Sequence, residues 1–305
     1  MKQTTLSWPP ETAIPATTKD HYWHDESTNR VLDFHGDPMN AGLNILSDGN
    51  HHMALEASLQ AFLKSNPELN DIFYATLPPQ VLNGILKNRH IHLGNLKINI
   101  KPDIYIGPGP ILQQWHEQEV MSKPRVFARS QGQAWLVRKG NPTGFTGLED
   151  LFTHNIRLFI SNPVSEKASH QVYRNTMLDS ATLSGLNTEK ISQSLANESQ
   201  HVMHGTHVHH REAPQAVASG HADVSMVYYH LALRYTRIFP DIFDMIPLSG
   251  SGSENTSSQE ITEYSVSCVN DNNQWTEPFI EFLCGPVAGD CYRYHGLGHC
   301  STKPG

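Results

Sequence analysis

VMHGTHVHHREAPQAVASGHADVSMVYY, residues 202–229, predicts a histidine-rich loop, a short helix, a tight turn and a buried strand. Pro214 suits the first turn of a helix, because its missing N–H costs nothing there. Gly220 suits the left-handed position just past a helix end, and residues 224–229 alternate as a strand does. Ligands of open α/β sheets gather beyond the carboxyl ends of strands and at helix N-termini. The stretch therefore predicts one wall of a cleft for a small ligand.

The same order of strand, polar turn and helix occurs elsewhere in the chain. Residues 43–47 form one such strand, and the helix that follows is capped by Asn50 and ends at Asn66. Residues 157–160 form another, and a helix from about Ser165 to Met177 follows its polar turn. Strands that alternate with helices predict an α/β architecture.

The remaining pattern divides the chain into two lobes around a cleft. Gly107-Pro108-Gly109-Pro110 predicts a tight turn whose backbone comes close to a ligand, and a capping box at residues 146–149 predicts a short helix through Phe152. Further strands are predicted at 72–76, 97–100, 103–106, 125–129, 134–137, 243–247 and 264–269, and further helices at 78–86, 189–195, 231–237 and 275–284. We expect an N-terminal arm (1–29), lobe one (30–128 plus 250–305), lobe two (129–249) and a flexible connection at 249–259.

Charge and hydropathy restrict the class of partner. The formal net charge of −8 predicts no general surface for nucleic acid. No run reaches the ~18 apolar residues of a membrane span, so we expect no direct membrane insertion. The N-terminus has no apolar segment of a signal peptide. The chain is then either cytoplasmic or a mature exported form with a start Met added.

The four cysteines lie at positions 268, 284, 291 and 300, all in the final segment. They form no C-x-x-C pair, which argues against a zinc ribbon. Disulfides of an exported protein are expected, with three possible pairings left open. Reduced, buried thiols are the alternative.

Four segments in order carry a resemblance to a known family: RKGNPTGFTGLEDL (138–151), RLFISNPVSEKASHQVY (157–173), REAPQAVASGHADVSMVYYHLA (211–232) and NQWTEPFIEFLCGPVAG (273–289). Residues 30–300 thereby resemble the type 2 periplasmic solute-binding proteins of ABC importers, and within them the molybdate/tungstate-binding branch. The resemblance implies an α/β fold with two mixed sheets, flanked by helices, and a ligand cleft between two lobes. It also implies a periplasmic or extracellular protein without catalytic activity or cofactor, a monomer that captures a small inorganic ion and delivers it to importer subunits by hinge closure.

A bound oxyanion needs several N–H or O–H donors in a partly dry cleft. In the molybdate-binding branch, the tyrosine matching Tyr228 reaches the oxyanion, whereas Asn50 and His51 stand where that branch carries hydroxyl residues. The candidate ligand-binding residues are Asn50, His51, Gly107, Asn162, Ser165, Arg211 and Tyr228, and Arg129 is a further candidate at the crossing between lobes.

A transition metal is the alternative ligand. The run His201, His204, His207, His209, His210 offers imidazoles close to the predicted cleft, and the chain has 19 histidines in all. The candidate set for zinc, copper or iron is His209 and His210 with Glu166 and Tyr229, where Glu212 and Tyr228 could replace the last two. The Tyr228-Tyr229 pair is also similar to the paired tyrosines of ferric-ion-binding relatives.

Catalysis is the least supported interpretation. The chain contains no G-x-S-x-G, H-E-x-x-H, Walker or Rossmann glycine motif. A metal-dependent hydrolase built on the histidine run is the remaining enzymatic alternative.

Overall fold

The computed structural model describes residues 33–77, 84–86, 88–93, 96–206, 208–248 and 261–300. The predicted arm, most of the helix predicted at 78–86, His207 and the connection predicted at 249–259 lie outside the described residues.

The described strands are β1 (Asp33–His35), β2 (Leu43–Ser47), β3 (Ile72–Thr76), β4 (His90–Leu93), β5 (Leu96–Asn99), β6 (Ile104–Pro108), β7 (Arg125–Arg129), β8 (Gln133–Arg138), β9 (Leu158–Ile160), β10 (Val202–His204), β11 (Val224–Tyr228), β12 (Phe243–Pro247), β13 (Glu263–Cys268) and β14 (Gly298–His299). The helices are α1 (His52–Ser65), α2 (Gly109–Glu117), α3 (Asp150–Thr153), α4 (Lys167–Leu183), α5 (Thr188–Ala196), α6 (His209–Ser219), α7 (Tyr229–Ile238), α8 (Thr276–Leu283) and α9 (Pro286–Tyr294). Strands β2, β3, β7 and β12 have the predicted bounds.

Two mixed sheets organise these elements. The first sheet has seven strands in the order β1-β3-β2-β6-β13-β7-β14, and the second has five in the order β10-β9-β11-β8-β12. Each sheet contains a run of parallel strands, β3-β2-β6 in the first and β10-β9-β11 in the second. The carboxyl ends of these strands therefore gather loops at one edge of each sheet. Strands β4 and β5 form a separate hairpin.

Each sheet has its own apolar core. The second sheet is packed around Trp135, Tyr173 and Met226, all at most 1% exposed. One face of the first sheet is covered by α1, α8 and α9, and its other face packs against α2. All five residues of β11 are buried, as expected for a strand that is covered on both faces of its sheet.

The chain crosses between the sheets twice, between β7 and β8 and between β12 and β13. The two crossings are bonded to each other: the Ser130 N–H donates to the Thr262 carbonyl at 2.8 Å, and the Thr262 N–H donates to Ser130 Oγ at 2.9 Å. The crossings are thus one paired unit where the sheets meet.

Two local predictions were wrong, both at prolines. The predicted turn at residues 107–110 is the end of β6 and the start of α2, because Pro110 occupies the first turn of that helix. Pro214 lies inside α6 rather than in its first turn. The carbonyl of His210, which the missing Pro214 N–H leaves without its helical donor, accepts a hydrogen bond from the Tyr235 hydroxyl.

Helix starts also differ from prediction. Asn50 does not cap α1, since His51 holds the cap position without a side-chain bond and the Asn50 N–H donates to Asp48. Thr146 bonds to Asp150 rather than closing a capping box with Glu149. Helices α2 and α9 and strands β1, β4, β10 and β14 were not predicted.

The disulfide expectation is not met, since all four cysteines are free thiols in the structure. They lie on β13, at the end of α8, on α9 and after β14. The Cys284 thiol is hydrogen-bonded to the Arg125 side chain, and burial raises the pKa of this thiol. None of the described helices is long and apolar enough to cross a membrane.

Candidate functional site

A cavity of about 440 Å³ lies between the loops at the carboxyl edges of the two sheets. From the first sheet it is lined by the β2–α1 loop, Leu77 and the prolines that flank the start of α2. From the second sheet it is lined by the start of α4, the residues around the start of α6, and Tyr228. Residues 261–263 of the second crossing complete the wall. Both sheets therefore contribute to one concave surface of small-ligand size.

Asp48 lies at the wall formed by the first sheet, directly after β2. The residue is 1% exposed, and its Oδ1 accepts the Asn50 N–H at 3.1 Å. Its Oδ2 is buried and has no hydrogen-bond partner in the described part of the chain. Burial raises the pKa of this carboxyl to about 7, against the smaller opposite effect of the Asn50 N–H.

His51 points away from the cavity into the core of the first sheet. It is fully buried; its Nδ1 shares a 2.8 Å hydrogen bond with the Tyr292 hydroxyl, and its Nε2 lies 3.3 Å from Ser47 Oγ. The Nε2 is also 3.4 Å from Asp48 Oδ1. Burial, aided by His230 and His52, lowers the pKa of His51 to about 3, so the contact with Asp48 is not an ion pair at neutral pH.

Glu166 lies on the opposite wall, just before α4. Both of its carboxylate oxygens lie 3.0 Å from the His209 nitrogen and accept the N–H at the start of α6. Asn162 is committed to backbone groups of the chain, because its Oδ1 accepts the N–H groups of Val164 and Ser165 and its Nδ2 donates to the Gly205 carbonyl. Carboxyls of the chain itself therefore lie at the N-terminus of α6 and, through Asp48, just before α1.

Tyr228 is the last residue of β11 and lines the cavity. Its hydroxyl lies 3.2 Å from Thr262 Oγ1 on the second crossing. Its ring packs on His230 at 5.4 Å between centroids, with 21° between the planes. His230 in turn donates from Nε2 to the Asn50 carbonyl at 2.8 Å, which joins the second sheet to the β2–α1 loop.

The structure separates the two histidines that sequence analysis paired. His209 is buried between the rings of Phe159 and Tyr173, and its Nε2 donates to the Met226 carbonyl at 2.9 Å. Burial lowers its pKa to about 4. His210 lines the cavity, and burial, with the nearby positive groups, lowers its pKa to about 3. Both imidazoles are therefore neutral at neutral pH.

The other predicted residues divide in the same way. Asn50, Glu166, His210 and Tyr228 line the cavity, whereas His51, Gly107, Asn162, Ser165, Arg211, His209 and Tyr229 do not. A Cβ on Gly107 would lie 3.0 Å from the Tyr105 hydroxyl, so close packing within the sheet explains this glycine. His204 donates to the Leu195 carbonyl, 2.8 Å away. No three histidine, cysteine or acidic side chains among the described residues are placed to hold a metal.

Sequence analysis did not select Asp48, His230, Thr262 or Glu263. An acidic residue directly after the buried run LNILS was the one available signal, because it places Asp48 at the carboxyl end of a strand. Arg129 lies outside the lining and pairs with Glu263 at 2.9 Å. The lining in the described part of the chain contains carboxyls but neither lysine nor arginine.

Comparison with known proteins identifies the architecture. The sequence model of a family described as bacterial extracellular solute-binding proteins matches residues 42–298. A comparison with curated proteins gives no match.

Solved structures of binding proteins have a fold similar to that of this chain. The sulfate-binding protein SubI from Mycobacterium tuberculosis H37Rv is similar at 17% identity and a TM-score of 0.60, over 84% of this chain and 85% of that one. The periplasmic molybdate-binding protein of Azotobacter vinelandii is similar at 15% identity and a TM-score of 0.52, over 86% and 100%. Iron-bound HitA from Pseudomonas aeruginosa is similar at 12% identity and a TM-score of 0.55, over 82% and 83%. The prediction of the two-lobed α/β fold of periplasmic binding proteins is confirmed.

Proposed function

Because the chain belongs to the family of bacterial extracellular solute-binding proteins, we propose that it captures a small solute between its two lobes and delivers it to an ABC importer. In this proposal the protein works in the periplasm, as a monomer and without catalysis. Lobe one comprises residues 30–128 plus 250–305, and lobe two comprises residues 129–249. The observation that carries the proposal is the cavity of about 440 Å³ to which both sheets contribute walls.

Closure of the two lobes is the proposed mechanism. The paired crossings at Ser130 and Thr262 are the natural hinge, because they join the two sheets and lie beside the cavity. A solute that contacts both walls stabilises the closed form more than the open one, so binding shifts the population toward closure. The importer then distinguishes the loaded receptor by its shape.

An inorganic oxyanion of the molybdate/tungstate type is one candidate solute. Its support is the sequence resemblance, together with similar folds that are named as molybdate-binding and sulfate-binding proteins. A transition metal is the second candidate, supported by the similar fold named as iron-bound HitA. For the metal, the described residues place His210 and Glu166 of the predicted set at the cavity, together with the alternative ligand Tyr228.

Blocking the cavity tests the receptor function independently of the solute class. Ala168 is exposed and lines the cavity, so Ala168→Trp fills the space that a solute needs. Ala196→Trp is the matched control, because Ala196 is exposed on α5 and does not line the cavity. Calorimetry and thermal shift are measured with oxyanions, metal ions and organic solutes on wild type and both variants. We expect binding to wild type and to the control and none to Ala168→Trp. Equal binding to Ala168→Trp contradicts the proposed site.

A further inference from the structure

Carboxyls of the chain itself lie where an anion would approach the helix starts at the cavity. A helix N-terminus attracts anions because its first N–H groups lack partners. Two residues before α1 begins, the Asp48 carboxyl accepts the Asn50 N–H at 3.1 Å. At α6 the Glu166 carboxylate accepts the His209 N–H at 3.0 Å. An oxyanion entering the cavity would meet these carboxyls.

The charge of the lining has the same consequence. Three carboxyls line the cavity, those of Asp48, Glu166 and Glu263, and no lysine or arginine of the described residues does so. Arg129 balances only Glu263. His210 contributes no positive charge at neutral pH, because burial lowers its pKa to about 3. Arg211 and Arg234 act on His210 from outside the lining, so the charged groups of the described lining itself are carboxyls, which favour a positively charged ligand.

Asp48 contributes to the lining a hydrogen-bond acceptor that is not satisfied within the described part of the chain. It is 1% exposed and lines the cavity, and its Oδ2 has no partner in the described part of the chain. The nearest imidazole, on His51, is neutral and committed to Tyr292 and Ser47. A buried carboxylate oxygen without a partner is costly, and a charged donor from a ligand forms one of the stronger hydrogen bonds to it.

The rest of the lining suits an organic ligand rather than a bare ion. Leu77, Val172, Val208 and Ile261 contribute apolar surface, and Tyr228 contributes an aromatic ring. A mostly apolar pocket of several hundred cubic ångströms with a few polar groups is typical of organic ligands. An aromatic ring also attracts organic cations. A metal ion would need a set of ligands that the described residues do not assemble.

We propose that the cavity selects a small organic cation, a solute with an ammonium or guanidinium group, and that the Asp48 carboxylate is its counter-charge. This inference rests on the proposed function and names the class of solute. The ligand's ammonium or guanidinium group pairs with the Asp48 carboxylate while its carbon skeleton packs on the apolar wall and on Tyr228.

The test measures binding of putrescine, agmatine and choline, and of molybdate, sulfate and phosphate, by calorimetry at pH 8. We expect at least one of the organic cations to bind wild type and none of the anions to do so. Asp48→Asn keeps the shape of the side chain and removes its charge, and should weaken cation binding about 10- to 100-fold. Glu56→Gln is the matched control, because Glu56 is exposed on α1, does not line this cavity and changes the net charge equally.

The alternative outcomes are distinct. Binding of an anion without binding of any cation overturns the inference and leaves the receptor function standing. Cation binding that is equal in wild type and Asp48→Asn also overturns it, as does no binding of any of the three cations. Should Asp48→Asn fail to fold, Glu166→Gln and the pH profile of wild type replace it. Cation affinity must then fall in Glu166→Gln and must fall in wild type as the pH drops below about 7, and constancy in either measurement contradicts the inference.

Discussion

The Nε2 of His230 at the start of α7 lies 2.8 Å from the Asn50 carbonyl oxygen before α1, so a hydrogen bond joins the two lobes beside the cavity. The carbonyl accepts, so Nε2 carries the proton. His230 is fully buried and also packs on the Tyr228 ring. The His230 side chain therefore contacts both the opposite lobe, at Asn50, and the cavity-lining residue Tyr228.

Removing this bond should loosen the contact between the lobes. His230→Phe keeps a ring against Tyr228 but leaves the Asn50 carbonyl without its donor, which costs about 1–3 kcal/mol of folding stability. We expect a lower melting temperature and a larger radius of gyration by small-angle scattering. His154→Phe is the control, because His154 is an exposed residue just after α3. An unchanged radius of gyration in His230→Phe would show that the bond does not hold the lobes together.

Buried neutral histidines should make the protein sensitive to acid. Burial lowers the pKa of His51 to about 3 and the pKa values of His209 and His230 to about 4, from an ordinary 6.5. Between those values the unfolded chain binds protons that the folded protein does not bind, so stability falls as the pH decreases from about 6.5 toward 4. Urea denaturation across this range measures the loss. A free energy of unfolding that stays constant from pH 7 to pH 4 would contradict the neutral burial of these rings.

Asp48 should oppose stability in the unliganded protein. Its folded pKa of about 7 lies above its ordinary 3.8, so the folded state retains a proton that the unfolded chain releases between those values. Stability is therefore lost as the pH rises through this interval. The groups around the carboxyl are His51 and the hydroxyls of Tyr105, Tyr264 and Tyr292, all neutral there.

Asp48→Asn should accordingly stabilise the empty protein at pH 8 by about 1–3 kcal/mol and have little effect near pH 4. Chemical denaturation of wild type and variant at both pH values measures this difference. Equal stability at pH 8 would mean that the Asp48 carboxylate already has a partner. A variant that gains stability while it loses solute binding would show that the buried charge of Asp48 destabilises the empty protein and is needed for binding.

Sequence patterns were sufficient for the inner strands of both large sheets and for the α/β class, because these buried runs are largely apolar. LNILS at residues 43–47 and VSMVY at 224–228 have one environment each, the interior of a sheet, so composition predicts them. The helix starts were less predictable. Pro110 and Pro214 occupy different helical positions for reasons that lie elsewhere in the chain, and the donor that accommodates Pro214 comes from α7.

The site was predicted only in part, for a related reason. Asn50 and Tyr228 line the cavity, as expected from their places at the ends of strand–helix units. His51 and His209 follow the same rule in sequence, yet both rings turn into the cores, where they find Tyr292 and the Met226 carbonyl. Which way a side chain at a helix start points depends on partners distant in sequence, and a single sequence does not reveal them.

Tyr228 and Tyr229 offer a matched pair for testing the lining. Tyr228 lines the cavity and its hydroxyl contacts Thr262, whereas the Tyr229 ring lies near Gly296, away from the cavity. We expect Tyr228→Phe to weaken capture of the bound solute about 5- to 10-fold through the lost hydroxyl contact. Tyr229→Phe should leave affinity unchanged. Calorimetry on both variants decides the matter, and equal affinities would remove the Tyr228 hydroxyl from the binding site.

The proline in α6 provides a test of how the histidine-rich wall is held. The Tyr235 hydroxyl donates to the His210 carbonyl, which Pro214 leaves without a backbone donor. Tyr235→Phe should therefore destabilise the protein by about 1–3 kcal/mol.

Pro214→Ala restores a backbone N–H four residues after His210, so it should recover much of that loss in the Tyr235→Phe background. In wild type the same change should do little, because the carbonyl already has a donor. A double-mutant cycle by urea denaturation gives the coupling between the two positions. Additive effects would mean that the hydroxyl does not replace the missing helical bond, whereas strong coupling would tie the position of His210 at the cavity to a side chain of α7.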